Sequence, residues 1–210
     1  MPVCHKNRFI FFHIPKCAGT SIATHLGIKG KDSLTGLVSQ GDKQITLHHL
    51  TPTDLKRFGF VDDEIIESYF KFTIVRDPFD RMVSDYLWQQ RFDGHKLFAH
   101  ISFNEYLDFA EQVISQNLYF EKRHFDHFRP MADYCINNGE LLVDDILLLE
   151  NLDQGLKRIK SKTGISDLPK LNRSNRQTKK YRTDEYIERV YKIYRSDKEL
   201  YDRVRSLEQI

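Results

Sequence analysis

Lys16 stands between a run of apolar residues and a set of small ones, in the stretch Phe9–Ile22 that reads FIFFHIPKCAGTSI. The apolar run breaks at Pro15, and after Lys16 come Cys17, Ala18, Gly19, Thr20 and Ser21. This order predicts a buried strand feeding a tight loop and then a helix. Amides at such a turn point outward, a helix start carries roughly half a positive charge, and small residues let an anion approach. Lys16 adds a full charge at the same spot, so the segment suits a phosphate or a sulfate. The spacing is not that of the ATP-binding loop G-x-x-x-x-G-K-[ST], because Lys16 lies ahead of Gly19. The competing reading is an ordinary strand-loop-helix corner with a solvated lysine.

A second segment, Lys71–Tyr86 or KFTIVRDPFDRMVSDY, repeats the plan. An apolar strand, Phe72–Val75, ends at Arg76. Asp77 is a favoured helix N-cap, Pro78 suits the first helical position, and Asp80 favours the positive helix end. Arg76 thus falls at the C-terminal end of a strand, where ligands collect in open α/β sheets, and Ser84 about two turns into the helix. Against this stands an arginine on a surface turn with a serine facing solvent.

Two histidines, His48 and His49, lie in LHHLTPTDL (Leu47–Leu55), where a strand gives way to a helix near Pro52. An imidazole with an unperturbed pKa of about 6.5 is available as a neutral base at cellular pH. On an extended segment adjacent side chains point to opposite sides, so only one of the two faces a cleft. A structural pair capping the helix is the alternative. Further on, RHFDHFRP (Arg123–Pro130) spaces His124 and His127 for one helix face, but no HExxH pattern or cysteine pair supports a metal site.

The elements that must position these residues are legible as alternation. Strand candidates are Arg8–Ile14, Gln44–His48, Tyr69–Val75 and Ile146–Leu149, separated by helical stretches. This favours an α/β fold, a parallel sheet covered on both faces. Ser102 with Glu105 forms a capping-box pattern ahead of Tyr106 and Leu107. Thr183 is a plausible N-cap for Ile187, Val190, Tyr191 and Tyr194, which recur at helical spacing and are read as core contacts. Ser196 with Glu199 restarts a helix toward Leu200, Tyr201 and Val204.

Composition bounds the rest. The 210 residues suffice for one substantial core, and a single domain over 1–210 is expected. A net charge of +2 does not imply polyanion binding by the whole molecule, so no nucleic-acid partner is expected. The one dense positive tract, LPKLNRSNRQTKKYR, carries Arg173, Arg176, Lys179, Lys180 and Arg182; such a run is usually a solvated face. Three cysteines without regular spacing argue against a disulfide framework and for a reducing compartment. Cys17, beside a lysine and a helix start, is either a reactive thiol or a small filler, and the filler reading is preferred. The N-terminus is neither a signal peptide nor a membrane span, and a cytoplasmic location is expected.

HIPKCAGTSI resembles the 5′-phosphosulfate loop of the carbohydrate sulfotransferases of the heparan and chondroitin type, which use 3′-phosphoadenosine 5′-phosphosulfate (PAPS). Arg76, Asp77, Pro78, Arg81 and Ser84 are similar to that family's 3′-phosphate loop, R-D-P-x-x-R-x-x-S. His49-Leu50-Thr51 resembles its base segment, His-x-Thr before a helix, whereas His48 has no counterpart. His127-Phe128-Arg129-Pro130 is similar to a His-Trp-Arg-Pro segment near the acceptor cleft. Leu168-Pro169-x-Leu171-Asn172 resembles a loop closing over the nucleotide, and Glu150-Asn151-Leu152 a segment before the penultimate helix.

The resemblance implies a P-loop-NTPase-like sheet flanked by helices and a metal-free sulfuryl transfer from PAPS, with PAP as product. The acceptor implied is a hydroxyl, on a carbohydrate or another molecule. His49 is implied as base and Lys16 as the stabiliser of the leaving phosphate. Cys17, Ala18, Gly19, Thr20 and Ser21 are implied to hold the 5′ side, Arg76 and Ser84 the 3′-phosphate, and Arg173 and Arg176 the nucleotide or acceptor mouth. Two alternatives stand beside this: a nucleotide-dependent kinase, and a non-catalytic PAPS- or glycan-binding protein on the same fold.

Overall fold

Four apolar side chains in a row, Phe9–Phe12, are wholly removed from water and form the central strand β2. A computed structural model of the chain describes residues 3–26, 34–91, 97–165, 168 and 176–208. β2 pairs in parallel with β5 (Phe70–Val75), Phe9 opposite Phe70, and β5 pairs in parallel with β8 (Asp145–Leu148). An unbroken apolar run, not an alternating one, is what a strand buried on both faces requires.

The sheet is mixed, which corrects the expectation of a wholly parallel one. β1 (Val3–Cys4) pairs antiparallel with β2, giving the order β1-β2-β5-β8. Only a tight turn separates these two strands, whereas a parallel connection needs about a dozen residues or more. The expected strand Gln44–His48 is also corrected. β4 (Lys43–Thr46) pairs with β3 (Leu37–Gln40) in a hairpin apart from the main sheet, and Leu47–His49 then winds into a 3₁₀ turn. A second small hairpin joins β6 (Ile136–Asn137) and β7 (Glu140–Leu141).

Each parallel strand delivers the chain into a helix. β2 leads to α1 (Gly19–His25), β5 to α4 (Pro78–Gln89), and β8 through a 3₁₀ turn to α7 (Leu152–Thr163). Asp77 caps α4 by accepting the Asp80 amide at 3.1 Å. α7 lies so close on β8 that a Cβ added at Gly155 would meet Leu147 at 3.1 Å. α2 (Pro52–Phe58) starts with a full capping box between Thr51 and Asp54, and α3 (Asp63–Ser68) returns the chain to β5.

Of the remaining helices, two build a second apolar cluster with α4 beside the sheet, and two, Ala132–Cys135 and Arg195–Glu208, pack into the sheet core. α5 (Phe103–Ser115) begins with the Ser102–Glu105 capping box. α6 (Ala132–Cys135) is a single turn. Thr183 caps α8 (Asp184–Ile193), and α9 (Arg195–Glu208) follows. Phe79, Val83, Tyr106, Val190 and Tyr194 are fully buried together between α4, α5 and the chain around α8. Buried side chains of this size each contribute about 1.5–3 kcal/mol before the entropy of ordering is subtracted. Among the described residues, no helix is long and apolar enough to cross a membrane.

Candidate active site

The C-terminal ends of β2 and β5 open on a cavity of about 810 Å³. Lys16, Ala18, Gly19, Thr20 and Ser21 line it from the first loop, Arg76 and Ser84 from the second, and His49 from the 3₁₀ turn. These residues, chosen from separate stretches of sequence, therefore meet at one place. Leu168 also lines the cavity. Arg173 lies outside the described residues, and Arg176 opens a short 3₁₀ turn, Arg176–Tyr181.

The first loop owes its shape to left-handed backbone at two non-glycine residues, Lys16 (φ 68°) and Ala18 (φ 63°). Such conformations cost of order 1–3 kcal/mol each and persist where surrounding structure imposes them. Ala18 precedes α1 with no side-chain cap of its own. Gly19 is dictated by a neighbour: a Cβ there would fall 1.8 Å from the ring of His13. Cys17 is fully buried, its Sγ 4.0 Å from the Met131 Sδ, and burial pushes its thiol up to about 12. It is a packing residue at the base of the loop, and its side chain does not reach the cavity.

Lys16 holds its ammonium 5.0 Å from the centre of the Trp88 ring. Burial lowers its pKa, with the Asp85 carboxylate acting in the opposite sense. Among the described residues, neither Lys16 nor Arg76 forms an ion pair with a carboxylate. The carboxylates that act on them, Asp85 on Lys16 and Glu150 on Arg76, lie beyond ion-pair distance, which leaves both cations able to meet an external anion in the cavity.

Arg81, the other arginine of the second motif, serves the scaffold. It is 1% exposed, donates to the backbone carbonyls of His127 (2.8 Å) and Arg129 (2.6 Å), and pairs with Asp197 at 3.3 Å. It thereby fixes the His127–Arg129 segment against α4. Arg129 in turn is paired with Asp54, the capping carboxylate of α2. Arg129 thus ties the His127 segment to the start of the helix that follows His49.

His49 is 8% exposed, and its Nδ1 lies 2.7 Å from Asp126 Oδ2. The Tyr134 hydroxyl donates to its backbone carbonyl at 2.8 Å. Burial, followed by the neighbouring His48 and His127, holds the imidazole pKa well below 6.5. With Nδ1 engaged by a carboxylate, the neutral ring carries its proton there and keeps a lone pair on Nε2. His127 repeats the arrangement: its Nδ1 lies 2.6 Å from Asp85 Oδ1, and its ring stacks on Trp88 at 5.1 Å. Burial opposes ionisation of Asp85, but the His127 charge and hydrogen bond, Lys16 and the Tyr106 hydroxyl outweigh it and bring the pKa to about 2.

The expectation that His48 and His49 point to opposite sides is overturned. The 3₁₀ turn sets their rings 4.2 Å apart, and both line the cavity, because a helical turn does not alternate side chains as a strand does. His48 differs in its partner: its Nδ1 faces the Gly36 amide at 3.4 Å, and burial takes its pKa to about 4. His13, Trp88, Asp85 and Asp126 were not singled out by sequence. His13 sits inside the first motif, and Asp85 and Asp126 directly follow or precede a motif residue, so proximity was the one available signal.

Residues 1–202 match the model of the sulfotransferase family. An "Uncharacterized protein" of Archaeoglobus fulgidus is 27% identical over 107 residues, which is 51% of this chain and 78% of that relative. No solved structure matches the chain. The family match runs through both cavity-lining loops, the His49 turn and all of the sheet, and on that extent the chain belongs to the sulfotransferase family.

Proposed function

We propose that this protein transfers the sulfuryl group of PAPS to an acceptor hydroxyl, on a carbohydrate in the first instance, by in-line displacement. The observation that carries the reading is the convergence on one cavity of a carboxylate-oriented neutral histidine, His49, and two cations that form no close ion pair among the described residues, Lys16 and Arg76. Two cations on separate strand ends match a donor with two separate anionic groups, the 5′-phosphosulfate and the 3′-phosphate.

Sulfuryl transfer resembles loose phosphoryl transfer, so alignment and charge stabilisation supply most of the rate. The acceptor oxygen bonds to sulfur as the bond from sulfur to the bridging phosphate oxygen breaks. The hydroxyl proton passes to Nε2 of His49, and Asp126 stabilises the imidazolium that forms. PAP leaves with the electron pair, its developing charge met by Lys16 and the amides of Ala18 to Thr20, while the Cys17 and Ser21 amides are held by the Ile14 and Ala18 carbonyls. Arg76 and Ser84 hold the 3′-phosphate; the part assigned to Arg173 and Arg176 is closure over the nucleotide.

The test is an acceptor screen with radiolabelled PAPS over glycans, lipids and small alcohols, with His49→Ala in parallel. Label transferred to a glycan hydroxyl by the wild type, and lost in the variant, is the expected result. PAPS binding with no transfer to any acceptor would leave a binding protein. Magnesium-dependent transfer from ATP instead would make it a kinase.

A further inference from the structure

One base suffices for the reaction proposed above, yet three imidazoles crowd one wall of the cavity. The ring of His13 lies 4.9 Å from that of His49 and 5.5 Å from that of His48, and the latter two are 4.2 Å apart. One ring nitrogen from each lies within 4.8 Å of the others. We propose that His13, His48 and His49 form a binding site for a divalent transition cation of the Zn²⁺ type, and that the bound ion reversibly shuts off sulfuryl transfer. The inhibitory half rests on His49 being the base; the binding half does not.

The ligand chemistry favours this class of ion. Imidazole nitrogens suit zinc, copper and nickel, whereas magnesium and calcium prefer oxygen. Zinc–nitrogen bonds of about 2.1 Å in a tetrahedral site set nitrogens roughly 3.4 Å apart, so ring rotations that draw the three inward by an ångström or so complete the set. The cavity supplies the entry path and room for a water or chloride in the open position.

The surroundings of His49 already have the form of a metal site. Ligating histidines almost always donate their other ring N–H to a carboxylate, a backbone carbonyl or water, which fixes the tautomer and strengthens the ligand. Asp126 does this for His49 at 2.7 Å. Its second oxygen, Oδ1, is buried and accepts no hydrogen bond, so its negative charge is only partly offset from within. A nearby cation relieves that deficit. His48 is the ring that must adjust, exchanging its long 3.4 Å contact with the Gly36 amide for the metal or binding through that nitrogen. Coordination occupies the His49 lone pair that otherwise takes the acceptor proton, which is why the ion inhibits.

The experiment titrates the chelator-treated full chain with CoCl₂, followed by visible absorption, and then with ZnCl₂ by calorimetry and displacement of cobalt. No donor or acceptor is present, so a failure here is separate from a failure of the sulfotransferase reading. The expected result is one saturable site with the intense bands of tetrahedral cobalt. His48→Ala and the milder His48→Gln should weaken it by at least the roughly tenfold that loss of even an outer partner costs, and Asp126→Asn by about tenfold. His25→Ala, which removes an exposed histidine on α1, should bind as the wild type does. Absence of saturable binding below millimolar metal, or equal affinity in the His48 and His25 variants, overturns the site. Zinc that binds but leaves measured sulfuryl transfer unchanged overturns the inhibition.

Discussion

Asp126 and His49 come from segments 77 positions apart and meet at 2.7 Å, both side chains buried. The contact decides which nitrogen of the imidazole carries the proton, and so which one is open to a substrate. Asp126→Asn keeps the shape but removes the charge that stabilises an imidazolium. Turnover should fall on the order of a hundredfold, within the span a positioned base contributes, while PAP affinity by calorimetry stays near wild type. A variant that retains native turnover would show that Asp126 serves packing alone.

His49→Ala should lose about a hundred- to ten-thousandfold of turnover with nucleotide affinity nearly intact. His48→Ala should lose far less, because the ring nitrogen of His48 meets a backbone amide, that of Gly36, where His49 meets a carboxylate. Steady-state rates on both variants decide between the adjacent histidines. Comparable losses would mean that the two rings act as one proton-accepting unit.

The donor's 3′-phosphate is assigned to Arg76 and Ser84 on the second strand end. Charge-assisted hydrogen bonds to phosphate contribute about 1.5–3 kcal/mol, so 5′-AMP should bind roughly ten- to a hundredfold more weakly than 3′,5′-bisphosphate. Arg76→Ala should erase most of that gap. Equal affinities for the two nucleotides in the wild type would remove the 3′-phosphate assignment.

How much of this was readable before folding follows from the range of each interaction. The strand-loop-helix around Lys16 and the α4 start were legible because their signals are local: an apolar run, a break, and capping residues within a few positions. Ser102 and Thr183 cap their helices as the sequence indicated for the same reason. The two histidine–aspartate pairs were not, since Asp126 and Asp85 acquire meaning only from partners 77 and 42 positions away. Arg81 was legible only as a motif position; its role in the scaffold comes from burial against the His127 and Arg129 carbonyls, 46 and 48 positions away. Of the β3–β4 hairpin the sequence marked β4 in part, through Gln44–His48, but not β3, whose short and largely exposed run leaves little hydrophobic pattern to read.

Trp88, the one tryptophan of the chain, offers a direct report on Lys16. Its ring carries the Lys16 ammonium 5.0 Å from its centre and stacks on His127. A cation over an indole face contributes about 0.5–2 kcal/mol, less than the phosphate contact that replaces it when an anion enters the loop. Titration with PAP should therefore shift or change the tryptophan emission in a saturable way, with the same midpoint as calorimetry. In Lys16→Met the optical change should largely vanish even where residual nucleotide binding persists. An unaltered signal in that variant would place its origin at His127 instead.

The acid side of the turnover profile tests the base independently of any substitution. A base must be neutral to accept a proton, and burial holds the His49 pKa well below 6.5, so its neutral form persists on acidification past the ordinary histidine range. Turnover should accordingly stay level from pH 7.5 to about 6.5, with its acid limb lying below the ordinary histidine value. The same shift has a sign for stability: the unfolded chain binds the proton first, so acidification below about 6.5 favours unfolding until the folded-state pKa is reached. Initial rates at saturating donor and acceptor, paired with denaturant titrations at each pH, separate the two effects. An acid limb centred at or above pH 7 in protein that remains folded would exclude the buried His49 as the group that accepts the proton.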